Sequence, residues 1–542
     1  MNKNKVKGKD HGRNFVSGVL VLSISTILIK AVGLAYKIPM LSLLGAEGMG
    51  YFNSAYEVYA LLCIVATTGL PVAISMLVSS EKAKGNEYGV ERIFRSAMRM
   101  ALFFGLLSGA ILMLCSSPIA SLIGNTGAAE CIASIAPALV FSCVSGVYRG
   151  YFQGLSRMSP TAVSQLIEVV GKLVFGVSFA NFAFHKGMSV SMAAAFAGGG
   201  LTLGMILSTV YLAVCKAKES IRKSKAPSPT ASNNRFFKVL LTLAVPITLS
   251  SVVTGVTRIA DMTLILRRLG DIGISSAEAN KMYGAYTTMA IPVFGLIPSL
   301  ITPVSMALIP GISSAIGTGN RELQTELANN SMRITLLLAA PSSVGIAVFS
   351  LPILNILFSG QGENAYFTAP LLSVLGVSVL FSCVITTTNA ILHSYRKTKI
   401  PIMSMAVGCA VKLVSEYLLI GNQEIGILGA PVSTLICDLT AAIINLAFVI
   451  KIIPDAKKTI GSFWRIFVSA AAAVSAASIV FEGMKAHLES LLIRMSGAVF
   501  CACFVYIIMV FALRALSIKD IEMIPFGDKT IKALRSKLKK KI

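Results

Sequence analysis

The sequence predicts an all-α polytopic membrane protein, with about fourteen transmembrane helices in two pseudo-symmetric six-helix lobes and two further C-terminal helices. Three observations support this fold class. The chain is 55% hydrophobic and only 13% charged, with a mean hydropathy of +0.77, whereas soluble domains carry about 25% charged residues. Apolar runs recur along the chain, each close to the ~20 residues that a membrane-spanning helix requires. Short segments also recur at a constant spacing.

The apolar runs define the predicted helices. We place them at 15–36, 51–79, 96–116, 131–154, 160–184, 189–214, 237–265, 282–316, 332–357, 367–392, 400–420, 426–450, 463–482 and 489–513. The run 282–316 is too long for one straight crossing and contains four prolines: Pro292, Pro298, Pro303 and Pro310. Proline interrupts the hydrogen-bond ladder of a helix, so we expect a kinked or broken helix there.

The basic residues predict the orientation of the chain. With the N-terminus in the cytoplasm, 37 of the 48 lysines and arginines fall in cytoplasmic segments, and 7, including Lys37, fall outside. Cytoplasmic loops of membrane proteins carry such an excess, so both termini are predicted to be cytoplasmic. Orientation in the membrane therefore explains the net charge of +24, and no nucleic-acid partner is expected.

An internal repeat predicts the domain organisation. Phe141–Val144 recurs as Phe381–Val384, and Lys172–Val174 recurs as Lys412–Val414, both at an offset of 240 residues; Gly85-Asn86 is echoed by Gly319-Asn320. Duplicated halves around a central site are typical of alternating access. The predicted parts are a first lobe (1–214), a basic cytoplasmic linker (215–238), a second lobe (239–452), two additional helices (453–516) and a basic amphipathic tail (517–542).

The tail predicts a second kind of contact with the membrane. Its apolar residues Ile531, Leu534 and Leu538 share one helical face, with lysines and arginines elsewhere. We expect this helix to lie on anionic phospholipids of the inner leaflet; a solvated basic tail is the alternative.

Charges within the spans are the candidate functional residues, because a charge at mid-bilayer costs roughly 2.5–3.5 kcal/mol and requires a partner or a wet cavity. The candidate substrate-binding cations are Lys30, Lys172, Arg258 and Lys412, and the candidate coupling carboxylates are Glu57, Glu168, Asp261 and Glu416. The carboxylates would serve coupling to Na⁺ or H⁺. The cysteines and histidines show no metal-ligand spacing, and we predict no catalytic residue, metal or other cofactor.

Several of these charges have an alternative interpretation. Glu168–Lys172 and Lys412–Glu416 are spaced i,i+4 and Arg258–Asp261 i,i+3, so each pair could neutralise itself on one helical face. Lys30 could pair with Glu57, but we favour a cavity in which it meets an anion. We expect Arg149 to be interfacial, with its guanidinium extended toward the lipid head groups, and Asp438 has no assigned role.

Four segments carry a family resemblance: Lys30–Lys37, Leu44–Gly48, Gly69–Ser75 and Pro292–Ser313. They resemble the stage V sporulation protein B and polysaccharide-transport branch of the MOP flippase superfamily, which also contains MurJ-type lipid II flippases and MATE drug exporters. The resemblance covers essentially the whole chain. Fourteen helices match the flippase branches better than the exporters, which typically have twelve.

The resemblance implies a V-shaped pair of lobes around a cavity that opens alternately to each side of a bacterial cytoplasmic membrane. It implies that the substrate is a lipid-linked cell-wall precursor, lipid II-like or a polysaccharide intermediate, carried from the inner to the outer leaflet. Lys30 falls where lipid II flippases keep a cavity arginine in their first helix. Two further arginine positions of those flippases fall near Cys63 and near Tyr286 or Thr287, so this charge pattern is not retained.

Three functions other than a flippase are possible for such a membrane protein. A cation-coupled multidrug exporter of the MATE type would favour acidic cavity residues, which Lys30 argues against. A membrane glycan polymerase or ligase would need large extracytoplasmic loops, whereas the loops here, such as 124–129 and 421–426, are short. A scaffold for wall-synthesis proteins would not need charges within its helices. The flippase, which is not an enzyme, is the favoured hypothesis; the glycan, the lipid carrier and the oligomeric state stay open.

Overall fold

The computed structural model describes residues 3–64, 68–222, 234–453, 463–486 and 488–513. Within these ranges the regular structure is helical, no strand occurs, and twelve helices are long and apolar enough to cross a membrane. The predicted all-α polytopic fold class is confirmed, whereas about fourteen membrane-spanning helices were predicted and twelve of sufficient length and hydropathy occur in the described ranges. The helices are α1 (Lys3–Ile64), α2 (Leu70–Ala83), α3 (Glu87–Leu114), α4 (Ser116–Leu122), α5 (Ala129–Gly154), α6 (Ser159–His185), α7 (Val190–Arg222), α8 (Asn234–Asp271), α9 (Ser276–Ala285), α10 (Ile291–Gly317), α11 (Arg321–Val348), α12 (Ser350–Leu357), α13 (Gly362–Ser394), α14 (Lys399–Ile420), α15 (Gly429–Ile452), α16 (Trp464–Lys485) and α17 (Leu491–Ala512).

Helix α1 contains the first predicted span and about the first half of the second. It has one non-helical residue, Gly45, at φ 67° and ψ 178°, a left-handed φ that glycine adopts at little cost. Of the second predicted span, 51–79, helix α1 includes the part up to Ile64 and helix α2 the part from Leu70. Pro71 lies in the first turn of α2, where a proline is compatible with a helix start.

The proline-rich run 282–316 is interrupted, as its length and prolines predict. The α-helical pattern gives way to a π-helical turn at Tyr286–Ala290. Helix α10 then begins with Pro292 in its first turn. The ring of Pro292 lacks an N–H and clashes with the preceding turn, which explains why the interruption falls directly before it.

The chain forms two compact units. The first unit comprises residues 1–289 with 416–430, and the second comprises 290–415 with 431–542. In the first unit, α2, α3, α5 and α7 enclose a buried cluster around Phe94 and Phe152. In the second, a cluster around Met332 and Ile391 lies between α10, α11, α13, α15 and α16. The predicted domain boundaries stay predictions, and residues 223–233 and the basic tail fall outside the described residues.

The internal repeat is visible in the backbone. Helices α5 and α13 end at Gly154 and Ser394, again 240 residues apart. Two residues later the chain turns through the only non-glycine positive φ angles of the described residues, 59° at Ser156 and 58° at Arg396. The amide N–H of each donates to the carbonyl three residues earlier at 2.9 Å. The offset therefore identifies structurally equivalent residues of these helices.

A second repeated turn precedes α3 and α11. Gly85 and Gly319 have φ angles of 72° and 68°, and the next residue is Asn86 or Asn320. Each asparagine side chain accepts a hydrogen bond from the backbone N–H three residues later, which satisfies one of the unpaired donors of a helix start. Lys84 and Asn86 donate to Glu81, and these hydrogen bonds lower the pKa of its carboxyl.

The outer surface of the helices is apolar. Leu114 is 83% exposed, and Ile479 and Phe500 are each 75% exposed. Soluble proteins rarely expose a large contiguous apolar surface. These side chains are therefore expected to contact lipid, in agreement with a multi-pass membrane protein.

Candidate functional site

An ion pair between Arg149 and Glu168 lies inside the first unit. Arg149, on α5, donates from Nη2 to Glu168 Oε2 on α6 at 2.7 Å. It also donates to the hydroxyls of Ser164 on α6 at 3.1 Å and Ser208 on α7 at 3.2 Å. The Arg149 side chain is only 12% exposed. The prediction of an interfacial, extended Arg149 is wrong, because three polar partners on two neighbouring helices hold its guanidinium inside the unit.

Two cavities meet at this ion pair. The first, which we call the Lys30 cavity, has a volume of about 390 Å³ and is lined by Lys30, Gln153 and Gln165 together with Arg149 and Glu168. The second, which we call the Arg258 cavity, has a volume of about 350 Å³. Its lining includes Tyr56, Tyr59, Cys63, Ser142, Thr254 and Arg258, again with Arg149 and Glu168. The ion pair is thus common to the lining of both cavities.

Lys172 lies in a cage of aromatic rings. Its Nζ is 4.8 Å from the ring centroid of Tyr36, 5.1 Å from Phe52 and 4.4 Å from Tyr56. Rings within about 6 Å of an ammonium attract it through their quadrupoles. The i,i+4 spacing suggested that Lys172 and Glu168 neutralise each other; instead, Glu168 forms its salt bridge with Arg149, and the rings of α1 surround the Lys172 ammonium.

Glu57 and Arg258 form an ion pair between α1 and α8. Arg258 Nη1 is 3.6 Å from Glu57 Oε2, with the side chains 52% and 25% exposed. Glu57 thus has Arg258 as a partner, and Lys30 lines the Lys30 cavity; the pairing of Glu57 with Lys30 stays an untested alternative. Asp261, spaced i,i+3 from Arg258, lies on the same helix.

Sequence reasoning missed a polar cluster near the Gly45 turn. Lys37, predicted to be outside, lies within α1 and donates to the carbonyl of Thr287 at 2.7 Å. The amide of Asn53 donates to the hydroxyls of Thr287 and Thr288 at 2.9 and 2.8 Å, and the amide of Asn280 donates to the carbonyl of Glu47 at 2.7 Å. The available signal was an asparagine inside an apolar run, which in a membrane usually hydrogen-bonds across helices.

In the second unit the polar contacts centre on α15. Asp438, for which the sequence indicated no role, accepts a hydrogen bond from Ser378 at 2.7 Å. Asn445 accepts from Ser404 at 2.7 Å and donates to Asn389 at 2.8 Å. Lys412 lies on α14. Glu416 is four residues later on the same helix, belongs to the first unit, and has a fully buried side chain.

Two family models match the chain. The model described as "Polysaccharide biosynthesis protein" matches residues 15–316, and the model described as "MatE" matches residues 246–418. The first match covers more than half of the chain and includes every residue of the two cavities.

Individual proteins show the same relationship. The chain is 28% identical to the lipid II flippase MurJ of Bacillus subtilis (strain 168), over 74% of this chain and 77% of that protein. It is 22% identical to stage V sporulation protein B of the same organism, over 96% and 99% of the two chains. Among solved structures, a lipid II flippase MurJ in an inward closed conformation aligns with a TM-score of 0.70 and 17% identity, covering 91% of this chain and 99% of that one.

These matches agree with the fold and extend over nearly the whole chain. The solved structure shares the fold, and the family model covers the residues that form the cavities. The protein is therefore a multi-pass membrane protein that belongs to the polysaccharide biosynthesis protein family of the MOP flippase superfamily.

Proposed function

We propose that this protein flips a lipid-linked cell-wall precursor, lipid II-like or a polysaccharide intermediate, from the inner to the outer leaflet by alternating access. The observation that carries the proposal is the Lys30 cavity, in which an ammonium and a guanidinium line a hollow of a membrane-spanning unit. Charges are expensive within a bilayer and are usually retained for function. The names of the relatives, a lipid II flippase and a sporulation protein, support the same substrate class.

The chemistry of the cavity suits a phosphate-bearing head group. Lys30 and Arg149 can form charge-assisted hydrogen bonds to phosphate oxygens. The amides of Gln153 and Gln165 can donate to and accept from sugar hydroxyls. The lipid tail would stay among the apolar outer side chains while the head group enters the cavity.

The four predicted cations differ in how directly they could contact the head group. Lys30 is the first candidate for head-group contact, since it is exposed and lines the Lys30 cavity. Arg258, which lines the Arg258 cavity, is the second candidate. Lys172 and Lys412 stay as proposed substrate contacts. Lys172 would reach a substrate only after leaving its aromatic cage. Glu57, Glu168, Asp261 and Glu416 stay as candidate carboxylates for Na⁺ or H⁺ coupling.

The proposal is tested in bacteria depleted of their own lipid II flippase. The protein is expressed, and the lipid-linked peptidoglycan precursor accessible on the outer leaflet is quantified. We expect rescue by the wild type and by Lys30→Arg, and loss of rescue in Lys30→Ala at equal protein level. Lys485→Ala is the control, because among the described residues that lysine forms a surface pair with Glu482, with both side chains about two-thirds exposed.

Cation-coupled export of organic cations is a second candidate function. The aromatic cage of Tyr36, Phe52 and Tyr56 has the composition that binds organic ammonium groups, and the "MatE" match includes α8 from residue 246. Lys172 already occupies the cage, which favours the flippase. Expression in an efflux-deficient strain separates the two: tolerance to ethidium or tetraphenylphosphonium without any precursor rescue would support export.

A further inference from the structure

The repeat reveals what the Arg149–Glu168 pair replaces in the other half of the chain. At the offset of 240 residues, which also relates the turns at Ser156 and Arg396, Arg149 corresponds to Asn389, Ser164 to Ser404 and Glu168 to Gly408. Both halves therefore carry a polar residue at the same place near the end of an equivalent helix, followed by the same serine on the next helix.

Both sets of residues link three consecutive helices. In the first unit, Arg149 on α5 binds Ser164 on α6 and Ser208 on α7. In the second, Asn445 on α15 binds Asn389 on α13 and Ser404 on α14. In the second unit, two neutral amides and a hydroxyl thus join the helix triplet. Joining such a triplet therefore does not require charges, and a buried ion pair rarely stabilises a protein more than neutral groups would.

The position of the pair suggests what its charges do. Arg149 and Glu168 line both cavities, with Lys30 in one and Arg258 in the other. An anion that moved between the two cavities along their shared lining would meet the Arg149 guanidinium. Guanidinium binds phosphate and carboxylate with the same bidentate geometry, so a phosphate oxygen can take the place of the Glu168 carboxylate.

We infer that Arg149 is a diphosphate-binding residue whose partner exchanges between Glu168 and the ligand. When the cavities are empty, Glu168 acts as a substitute anion that holds the guanidinium in place. When a prenyl diphosphate head group arrives, Arg149 transfers its hydrogen bonds to the phosphate oxygens and connects Lys30 to Arg258. This inference rests on the proposed function and adds to it a binding residue and a competing internal carboxylate.

The test is a binding measurement on the purified full chain in lipid nanodiscs at low salt. The probes are farnesyl diphosphate, inorganic pyrophosphate and, as the uncharged control, farnesol. Glu168→Gln keeps the shape of the competitor but removes its charge, so we expect it to bind farnesyl diphosphate about threefold to tenfold more tightly than the wild type. Arg149→Asn, the residue found at the equivalent position of the second half, is expected to fold normally and to bind about tenfold or more weakly.

Two further variants complete the design. The double variant Arg149→Asn/Glu168→Gln is expected to bind as weakly as Arg149→Asn alone, because the competitor matters only while the guanidinium is present. Asn389→Ala is expected to lower the unfolding temperature without a change in diphosphate affinity, since Asn389 has a packing role in the other half.

The outcomes separate this inference from the proposed function. If Lys30→Ala weakens binding but Glu168→Gln binds no more tightly than the wild type, Arg149 is a packing residue and the exchange is overturned, while the proposed function stands. If neither the wild type nor Glu168→Gln binds farnesyl diphosphate, both are overturned. Tighter binding of farnesyl diphosphate than of pyrophosphate supports a lipid-linked ligand; equal affinity would assign the site to a free diphosphate and overturn the lipid-linked part.

Discussion

Gly200 allows α6 and α7 to approach each other closely, and replacing it gives the sharpest test of the packing around the site. A Cβ atom at Gly200 would lie 2.6 Å from the carbonyl carbon of Phe175 and closer still to the backbone of Gly176. These atoms belong to the main chain of α6, so no side chain can rotate to make room. One turn along the same interface, a Cβ at Gly204 would lie 2.7 Å from the carbonyl oxygen of Glu168.

We predict that Gly200→Ala destabilises the protein by about 3 kcal/mol, the upper end of the range for an overpacked core, because backbone must move. The neighbouring Gly199 is the matched control, since a Cβ there would meet only the ring of Phe179 at 3.9 Å. Gly199→Ala is expected to be neutral, or to stabilise the helix by up to ~1 kcal/mol through its propensity. The two variants add the same methyl group to adjacent residues of one helix.

The assay is thermal unfolding of the detergent-solubilised protein, followed with a thiol-reactive fluorophore. Cys131 is buried, and its thiol donates to the carbonyl of Ala194 on α7, so it becomes accessible when α7 separates from its neighbours. Gly200→Ala should unfold several degrees below Gly199→Ala. Equal unfolding temperatures for the two variants would refute the close α6–α7 contact, and with it the placement of Glu168 and Ser208 around Arg149.

Two further predictions concern single side chains. Lys172→Met keeps the length of the side chain but removes the ammonium from the ring cage, so the free energy of unfolding should fall by about 0.5–2 kcal/mol. If Lys172→Met costs the same in a Tyr56→Leu background as in the wild type, the cation–π contact is contradicted. Asn86→Ala and Asn320→Ala should each cost about 1 kcal/mol of helix capping, measured by the same thermal assay, while Asn320→Asp should be neutral, because aspartate caps as well as asparagine. If neither alanine substitution changes the unfolding temperature, the two equivalent turns do not contribute to stability.

Hydropathy is sufficient to predict the fold class because every membrane-spanning helix must present an apolar stretch long enough to cross the hydrocarbon core of the bilayer. The same argument ends the first span at residue 36, whereas helix α1 continues past Lys37 as far as the non-helical residue Gly45, because hydropathy alone does not locate the end of a helix. The proline-rich run was predicted to break because proline acts locally, on the turn that precedes it.

The candidate site was harder to predict because its contacts join distant residues. Arg149 binds Glu168 and Ser208, 19 and 59 residues away, and no local spacing indicates such a contact. The i,i+4 spacing of Glu168 and Lys172 instead suggested a self-contained pair. The repeat does indicate that Arg149 is unusual, since the offset of 240 residues aligns it with the neutral Asn389.

The most direct test of the proposed function is lipid translocation by the purified protein in liposomes. A fluorescent lipid-linked diphosphate sugar is incorporated in both leaflets, and a membrane-impermeant reductant quenches the outer leaflet. We predict that the wild-type protein moves the inner-leaflet pool to the outer leaflet, where the reductant quenches it over time, and that Lys30→Ala, inserted to the same extent, does not. A protected inner pool with the wild-type protein, or equal translocation by Lys30→Ala, would contradict a flippase that binds its head group in the Lys30 cavity.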